Sequence, residues 1–246
     1  MTAGVARLYG LWCRPLRARQ GGAVVVKVSL QIVLWTAVLG ALVLGPAGTW
    51  AFPGAWALMG LFAVGGLAIT AWLHRYSPSL LNERMSGAVR KDQKPWDRIL
   101  LTIFLIGFCG WLAFMGRDAA RANFTAVPVW LQTAGGAGVV GYMLIAWLTF
   151  RANAFAAPVV KIQTDQRTIT TGPYAIVRHP MYAGLLLFFC GIPLLLGSWS
   201  GLLVTALFVI GVAYRSIKEE QTLSAELPGY ADYLAKVRFR LIPYVW

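Results

Sequence analysis

The sequence predicts an all-α integral membrane protein of about six transmembrane helices, ending in a helical hairpin and a polar tail. Three observations predict it. Of the 246 residues, 58% are hydrophobic and 13% charged, about half the charged share of a soluble globule. The apolar residues fall into runs near the roughly 20 residues that a bilayer-spanning helix needs. Threading those runs from a cytoplasmic N-terminus leaves every Lys and Arg except Arg117 and Arg121 on the cytoplasmic side, a strong positive-inside bias. The formal charge of +13 would suit nucleic acid, but the cations sit between apolar runs and form no separate basic domain, so a membrane surface is the better reading. Cys13, Cys109 and Cys190 lack metal-ligand spacing, and neither a disulfide nor a metal site is expected from them.

Residues 1–23 are basic and apolar, with Arg7, Arg14, Arg17 and Arg19. The run from Val24 to Leu44 exceeds a signal-peptide core of roughly 7–15 residues and no clear cleavage site follows, so it is read as a retained first span. The turn Gly45-Pro46-Ala47-Gly48 leads to a second span, Gly54 to Leu73. Residues 74–98 are polar; Ile99 to Gly116 is the third span, and 117–127 a short loop. Pro128 to Phe150 is the fourth span, and its Gly135, Gly136, Gly138 and Gly141 read as close helix packing. A polar connection, 151–180, contains the extended piece Thr168-Ile169-Thr170-Thr171; a connection of that length in a compact protein is usually functional. Met181 to Leu196 and Ser200 to Tyr214 form the terminal hairpin, with Pro193 a candidate kink. The tail reads as an amphipathic helix broken at Pro228-Gly229, then a second short helix.

Polar chemistry brackets that hairpin on both sides. Before it stands Gly172-Pro173-Tyr174-Ala175-Ile176-Val177-Arg178-His179-Pro180-Met181-Tyr182. Pro173 biases Gly172 toward an extended backbone. Pro180 suits the first turn of a helix, which places His179 at the cap, near free backbone N–H groups. After the hairpin come Arg215 and Glu219, spaced i, i+4 on one helix face and able to pair, with Glu220 pointing elsewhere. The plainer reading of both clusters is interfacial anchoring and snorkelling. A charged pair at a membrane mouth, facing a second polar cluster, favours function. Lys161, Gln163 and Gln166 add donors in the connection.

At these residues the chain resembles the isoprenylcysteine carboxyl methyltransferases and the related membrane phospholipid methyltransferases. The resemblance covers roughly residues 151–246. It rests on Gly172-Pro173-Tyr174, Arg178-His179-Pro180-Met181-Tyr182 with Gly184, Glu219-Glu220 with Leu223, Gly229-Tyr230 with Tyr233, and Arg240-Leu241-Ile242-Pro243. Leu80-Leu81-Asn82-Glu83-Arg84-Met85 and Gln93-Lys94-Pro95-Trp96-Asp97 look like a bacterial branch. The resemblance implies a transmembrane scaffold over 1–150 and a methyltransferase core over 151–246, with a cytosolic cofactor-binding loop and tail. It implies S-adenosyl-L-methionine as cofactor and a lipophilic substrate entering from the bilayer, most readily a carboxylate. By position, Tyr174, Arg178, His179, Pro180, Met181, Tyr182 and Glu219 would be cofactor-binding residues, and the strip Lys161, Gln166, Arg167, Thr168 and Ile169 would join them. Gln166 departs from relatives with histidine there. Arg215 would bind the methyl acceptor, and Arg215, Glu219 and His179 form the catalytic set.

Transfer from a sulfonium needs positioning and desolvation more than proton transfer. A carboxylate acceptor needs no base, whereas an amine would make Glu219 or His179 the candidate base. The bacterial-looking segments imply the inner membrane of a bacterium, and the Lys and Arg distribution implies that both termini are cytoplasmic. No metal, nucleic acid or obligate protein partner is expected. The rival reading is an NADPH-dependent membrane reductase of the steroid and sterol type, which shares an Arg-His-x-x-Tyr core; a third is a lipid-binding subunit without catalysis.

Overall fold

The computed structural model describes residues 14–87, 89–122 and 127–246, with side chains described from Val26 onward. The expectations for Arg7 and Cys13 lie outside the described residues. Among the described residues there is no strand, and the helices are α1 (Arg14–Ala47), α2 (Pro53–Tyr76), α3 (Pro78–Met85), α4 (Pro95–Arg121), α5 (Val129–Ala152), α6 (Pro180–Leu196), α7 (Trp199–Glu226) and α8 (Tyr230–Lys236). Five stretches are long and apolar enough to cross a bilayer: Val26–Ala47, α2, α4, α5 and α7. The chain is an all-helical integral membrane protein.

The sixth expected span is real but short. Helix α6 has 17 residues, about 25 Å at 1.5 Å per residue, less than the roughly 30 Å hydrocarbon thickness. Other expectations shift too: α1 continues through Gly45 and Pro46 to Ala47, where a turn was expected. Helix α4 continues through Asp118 to Arg121, where a loop from 117 was expected. Asp118 explains the extension: its carboxylate accepts hydrogen bonds from Ser198 Oγ (2.6 Å) and Ser200 Oγ, which fastens the α6–α7 turn to α4. The polar segment 74–98 holds α3, started by Pro78 in its first turn. Helix α7 runs unbroken from the membrane to Glu226, so the hairpin arm and the first tail helix are one element. The break at Pro228-Gly229 holds, with Gly229 at φ +76.

Small residues set the closest helix crossings. A Cβ on Gly135 of α5 would lie 2.6 Å from the Gly191 carbonyl oxygen of α6, and one on Gly191 would lie 2.6 Å from that of Gly135. The packing reading of the glycine cluster therefore holds at Gly135. Pro193 lies inside α6 and cannot donate to the Phe189 carbonyl one turn back. Thr205 Oγ1 of α7 donates to that carbonyl instead, at 2.8 Å. Below the crossings, Trp111, Phe188, Phe189 and Phe208 form the aromatic centre of the main core. The bundle thus fixes the start of α6 and the exit of α7 side by side.

Candidate active site

The connection after α5 closes back on the bundle through backbone geometry. Gly172 opens a 3-10 turn, Gly172–Ala175, at φ +62. This corrects the expected extended backbone: the left-handed conformation is open to glycine at no steric cost, and it turns Tyr174 inward. Asn153 Nδ2 donates to the Tyr174 hydroxyl at 2.9 Å, and the Tyr233 hydroxyl of α8 donates to the Tyr174 carbonyl at 2.8 Å. Burial pushes the Tyr174 phenol up to about 12. It stays protonated, and with its oxygen accepting from Asn153 its own O–H is free to donate.

The tail then laces the start of α6. Arg178 N donates to Phe239 O at 2.9 Å and His179 N to Arg240 O at 3.0 Å. Pro180 occupies the first turn of α6, as its fixed φ suits. The His179 ring is not turned to the helix N–H groups, since it makes no side-chain cap bond. It is buried, with Nε2 3.2 Å from Glu220 Oε1, and it stacks on Tyr182 at 5.3 Å with 3° between the planes.

Glu219 and Glu220 are adjacent on α7 but separated by about 100° around the helix. Glu220, 6% exposed, is a structural hub. It accepts from Arg240 Nη2 at 2.7 Å and Nε at 3.0 Å. Arg178 Nε lies 2.7 Å from its other oxygen, an ion pair without hydrogen-bond alignment. Glu219 instead faces a cavity, where the Tyr182 hydroxyl donates to it. Arg215 also lines the cavity, but its ion-pair partner is not Glu219. Its Nε donates to Asp97 Oδ1 at 2.8 Å and its Nη2 to the Pro158 carbonyl at 2.9 Å. The i, i+4 pairing is thus corrected, because a fully buried carboxylate from α4 occupies the guanidinium. Asp97 (0% exposed) further accepts from Val160 N at 2.8 Å and Gln93 Nε2 at 3.2 Å. It ties α4, the connection and α7 together.

Every residue expected at the site lines this one cavity of about 260 Å³. Tyr174, Arg178, His179, Pro180, Met181 and Tyr182 form one wall, Arg215 and Glu219 a second, and Lys161, Gln166, Arg167, Thr168 and Ile169 a third. The members of the third wall are already partly committed. Lys161 Nζ bridges Glu83 (2.9 Å) and Asp92 (3.0 Å), Gln166 Oε1 accepts from Gln163 N, and Thr168 Oγ1 donates to Pro228 O. Thr168–Thr171 is extended but forms no strand. Three participants were missed as such: Asp97, Glu220 and Tyr230. A lone acid at the start of an apolar helix was the available signal for Asp97.

The arrangement suits a small, charged, partly aromatic ligand. The buried Tyr230 hydroxyl lines the cavity and has no hydrogen-bond partner among the described residues, and native proteins rarely strand such a group. Glu219 offers a carboxylate to a cation, and Tyr174, Tyr182 and His179 offer ring faces. Among the described residues no group of three His, Cys, Asp or Glu side chains could hold a metal ion.

Residues 130–227 match the family model described as phospholipid methyltransferase. No curated protein matches the chain. The match takes in nearly all of α5 as well as the connection and the hairpin, so the matched region starts before residue 151. The match is consistent with the isoprenylcysteine and phospholipid methyltransferases that the sequence resembles.

Proposed function

We propose that this membrane methyltransferase uses S-adenosyl-L-methionine to methylate the carboxylate of a lipophilic acceptor drawn from the bilayer. The observation that carries the proposal is the convergence of two polar segments, far apart in sequence, on one cavity with Glu219 on its wall. The residues present fit the cofactor. Glu219 would hold its ammonium group, the Tyr182 and His179 pair would pack beside it, and the unpartnered Tyr230 hydroxyl would gain a bond. When bound, the cofactor supplies an electrophilic methyl on sulfur; the C–S bond breaks as the acceptor's C–O bond forms, and a neutral thioether leaves.

The chain's own residues bind, orient and exclude water. Nε and Nη2 of Arg215 are engaged, which leaves Nη1 without a protein partner among the described residues. That nitrogen can hold an ionised acceptor, and the Asp97 clamp keeps it in place. Neither candidate base is free: Glu219 accepts from Tyr182, and His179 faces Glu220. This favours an acceptor that needs no deprotonation. The match to phospholipid methyltransferases supports a second acceptor class, a phospholipid amine, for which Glu219 would be the base. The family match weighs against the reductase reading.

Purified protein in lipid nanodiscs should be stabilised against heat by S-adenosylhomocysteine and not by NADPH. Stabilisation by NADPH alone would overturn the proposal.

A further inference from the structure

A second cavity of about 310 Å³ lies among α1, α2 and α5, lined mostly by apolar side chains such as Ile32, Trp35, Phe62 and Ile69. It shares two wall residues with the first: Arg84 and Tyr142. Arg84, on α3, is therefore the cation at the junction. Its Nη1 donates to the Ala156 carbonyl at 2.9 Å, and its guanidinium sits 4.4 Å over the Phe150 ring. Among the described residues no carboxylate ion-pairs with it. The preceding residue shows the contrast, because Glu83 is taken by Lys161 (2.9 Å) and Arg90 (2.8 Å). Of the other cations lining the first cavity, Arg215 is neutralised by Asp97, Arg178 by Glu220 and Lys161 by Glu83 and Asp92, while Arg167 is exposed. An arginine held against an aromatic ring and one carbonyl, without a counter-ion, keeps donors for an anion.

We propose that Arg84 receives the carboxylate of a single-tailed lipophilic acid whose chain lies in the cavity between α1, α2 and α5. The cavity volume sits at the low end of ligand sites, roughly 300–1,000 Å³, which suits one tail rather than two. This inference rests on the methyl-transfer reading only in making that acid the acceptor, which Arg84 receives at the junction and Nη1 of Arg215, on the same cavity, then holds for transfer; the binding itself needs no cofactor.

The test uses the full chain in phosphatidylcholine nanodiscs, without cofactor, and radiolabelled palmitate as the probe. Unlabelled palmitate should compete about tenfold or more better than hexadecanol or hexadecylamine, and Arg84→Gln should bring palmitate down to the level of the alcohol. Arg84→Lys should keep part of the preference. Equal competition by the amine, or an undiminished acid preference in Arg84→Gln, overturns the proposal. Photo-crosslinking of a diazirine-bearing palmitic acid to the unsubstituted protein tests it independently of any variant. Label should fall on peptides of α1, α2 and α5 and be displaced by palmitate but not by hexadecylamine; label elsewhere overturns the proposal. Stabilisation by S-adenosylhomocysteine separates the two readings. Its absence, with acid selectivity intact, removes methyl transfer and leaves the role of Arg84; its presence, with selectivity absent, removes only the role of Arg84.

Discussion

The apolar half of the bundle and its polar end are held by different physics. In the membrane half, α5 and α6 meet backbone to backbone at Gly135 and Gly191, and the centre is aromatic. At the polar end, the connection, the start of α6, the exit of α7 and the tail are joined by buried ion pairs centred on Asp97 and Glu220. Apolar packing tolerates small adjustments in many places. A buried charge loses most when one partner goes, because the other is stranded. The polar end is therefore the more brittle region, and it is the region that shapes the cavity.

Substitutions at two adjacent residues should break this comparison most sharply. Glu220→Gln strands Arg178 and Arg240 and should cost about 3–5 kcal/mol, read as loss of folded protein in detergent. Glu219→Gln should leave the melting temperature nearly unchanged and weaken S-adenosylhomocysteine binding about tenfold or more, the loss of one charge-assisted bond. If the two variants behave alike, the division between hub and cavity wall is wrong. Arg215→Ala should likewise destabilise, because it leaves Asp97 buried without its cation. The charge-balanced pair Asp97→Asn with Arg215→Gln should recover much of the fold without recovering turnover; recovered turnover would remove Arg215 from the site.

The membrane half gives the intermediate effect. Gly135→Val forces α5 and α6 apart at backbone atoms and should cost about 1–3 kcal/mol. Gly110→Ala, where nothing lies within 4 Å of the added Cβ, should be neutral or slightly stabilising.

The smallest effect belongs to the outer strap. Lys161 draws Glu83 below its ordinary 4.5 and Asp92 below its ordinary 3.8. Depressed carboxylates contribute stability above their unfolded values and lose it as pH falls through the folded ones. The strap should therefore hold at neutral pH and loosen below about pH 4, an effect reduced in Lys161→Met, where Arg90 alone still pairs with both carboxylates. That substitution should cost only about 0–1 kcal/mol at neutral pH, read from melting temperatures at pH 7 and pH 3.5.

The spans, the glycine packing and the convergence of the hairpin's two flanks were legible in the sequence because they follow from local rules: hydropathy, residue size and short connections. The partners of Arg215 were not. Spacing on one helix offered Glu219, but the guanidinium went to Asp97, 118 residues earlier, and helix periodicity says nothing about distant elements. The same limit hid the role of Glu220, which the spacing placed only as pointing elsewhere and which is a buried hub because the tail returns Arg240 to it. Gly172 was misread for another reason: the Pro173 rule describes ordinary residues, whereas glycine can take the left-handed turn that the site uses.

The most direct test supplies methyl-labelled S-adenosyl-L-methionine to membranes containing the protein, extracts the lipids and treats them with base. The proposed function predicts a lipid-soluble label that base releases as methanol, lost in Arg215→Gln paired with Asp97→Asn. Label that withstands base would place the methyl on nitrogen and contradict the carboxylate acceptor; no label above membranes lacking the protein would contradict methyl transfer itself.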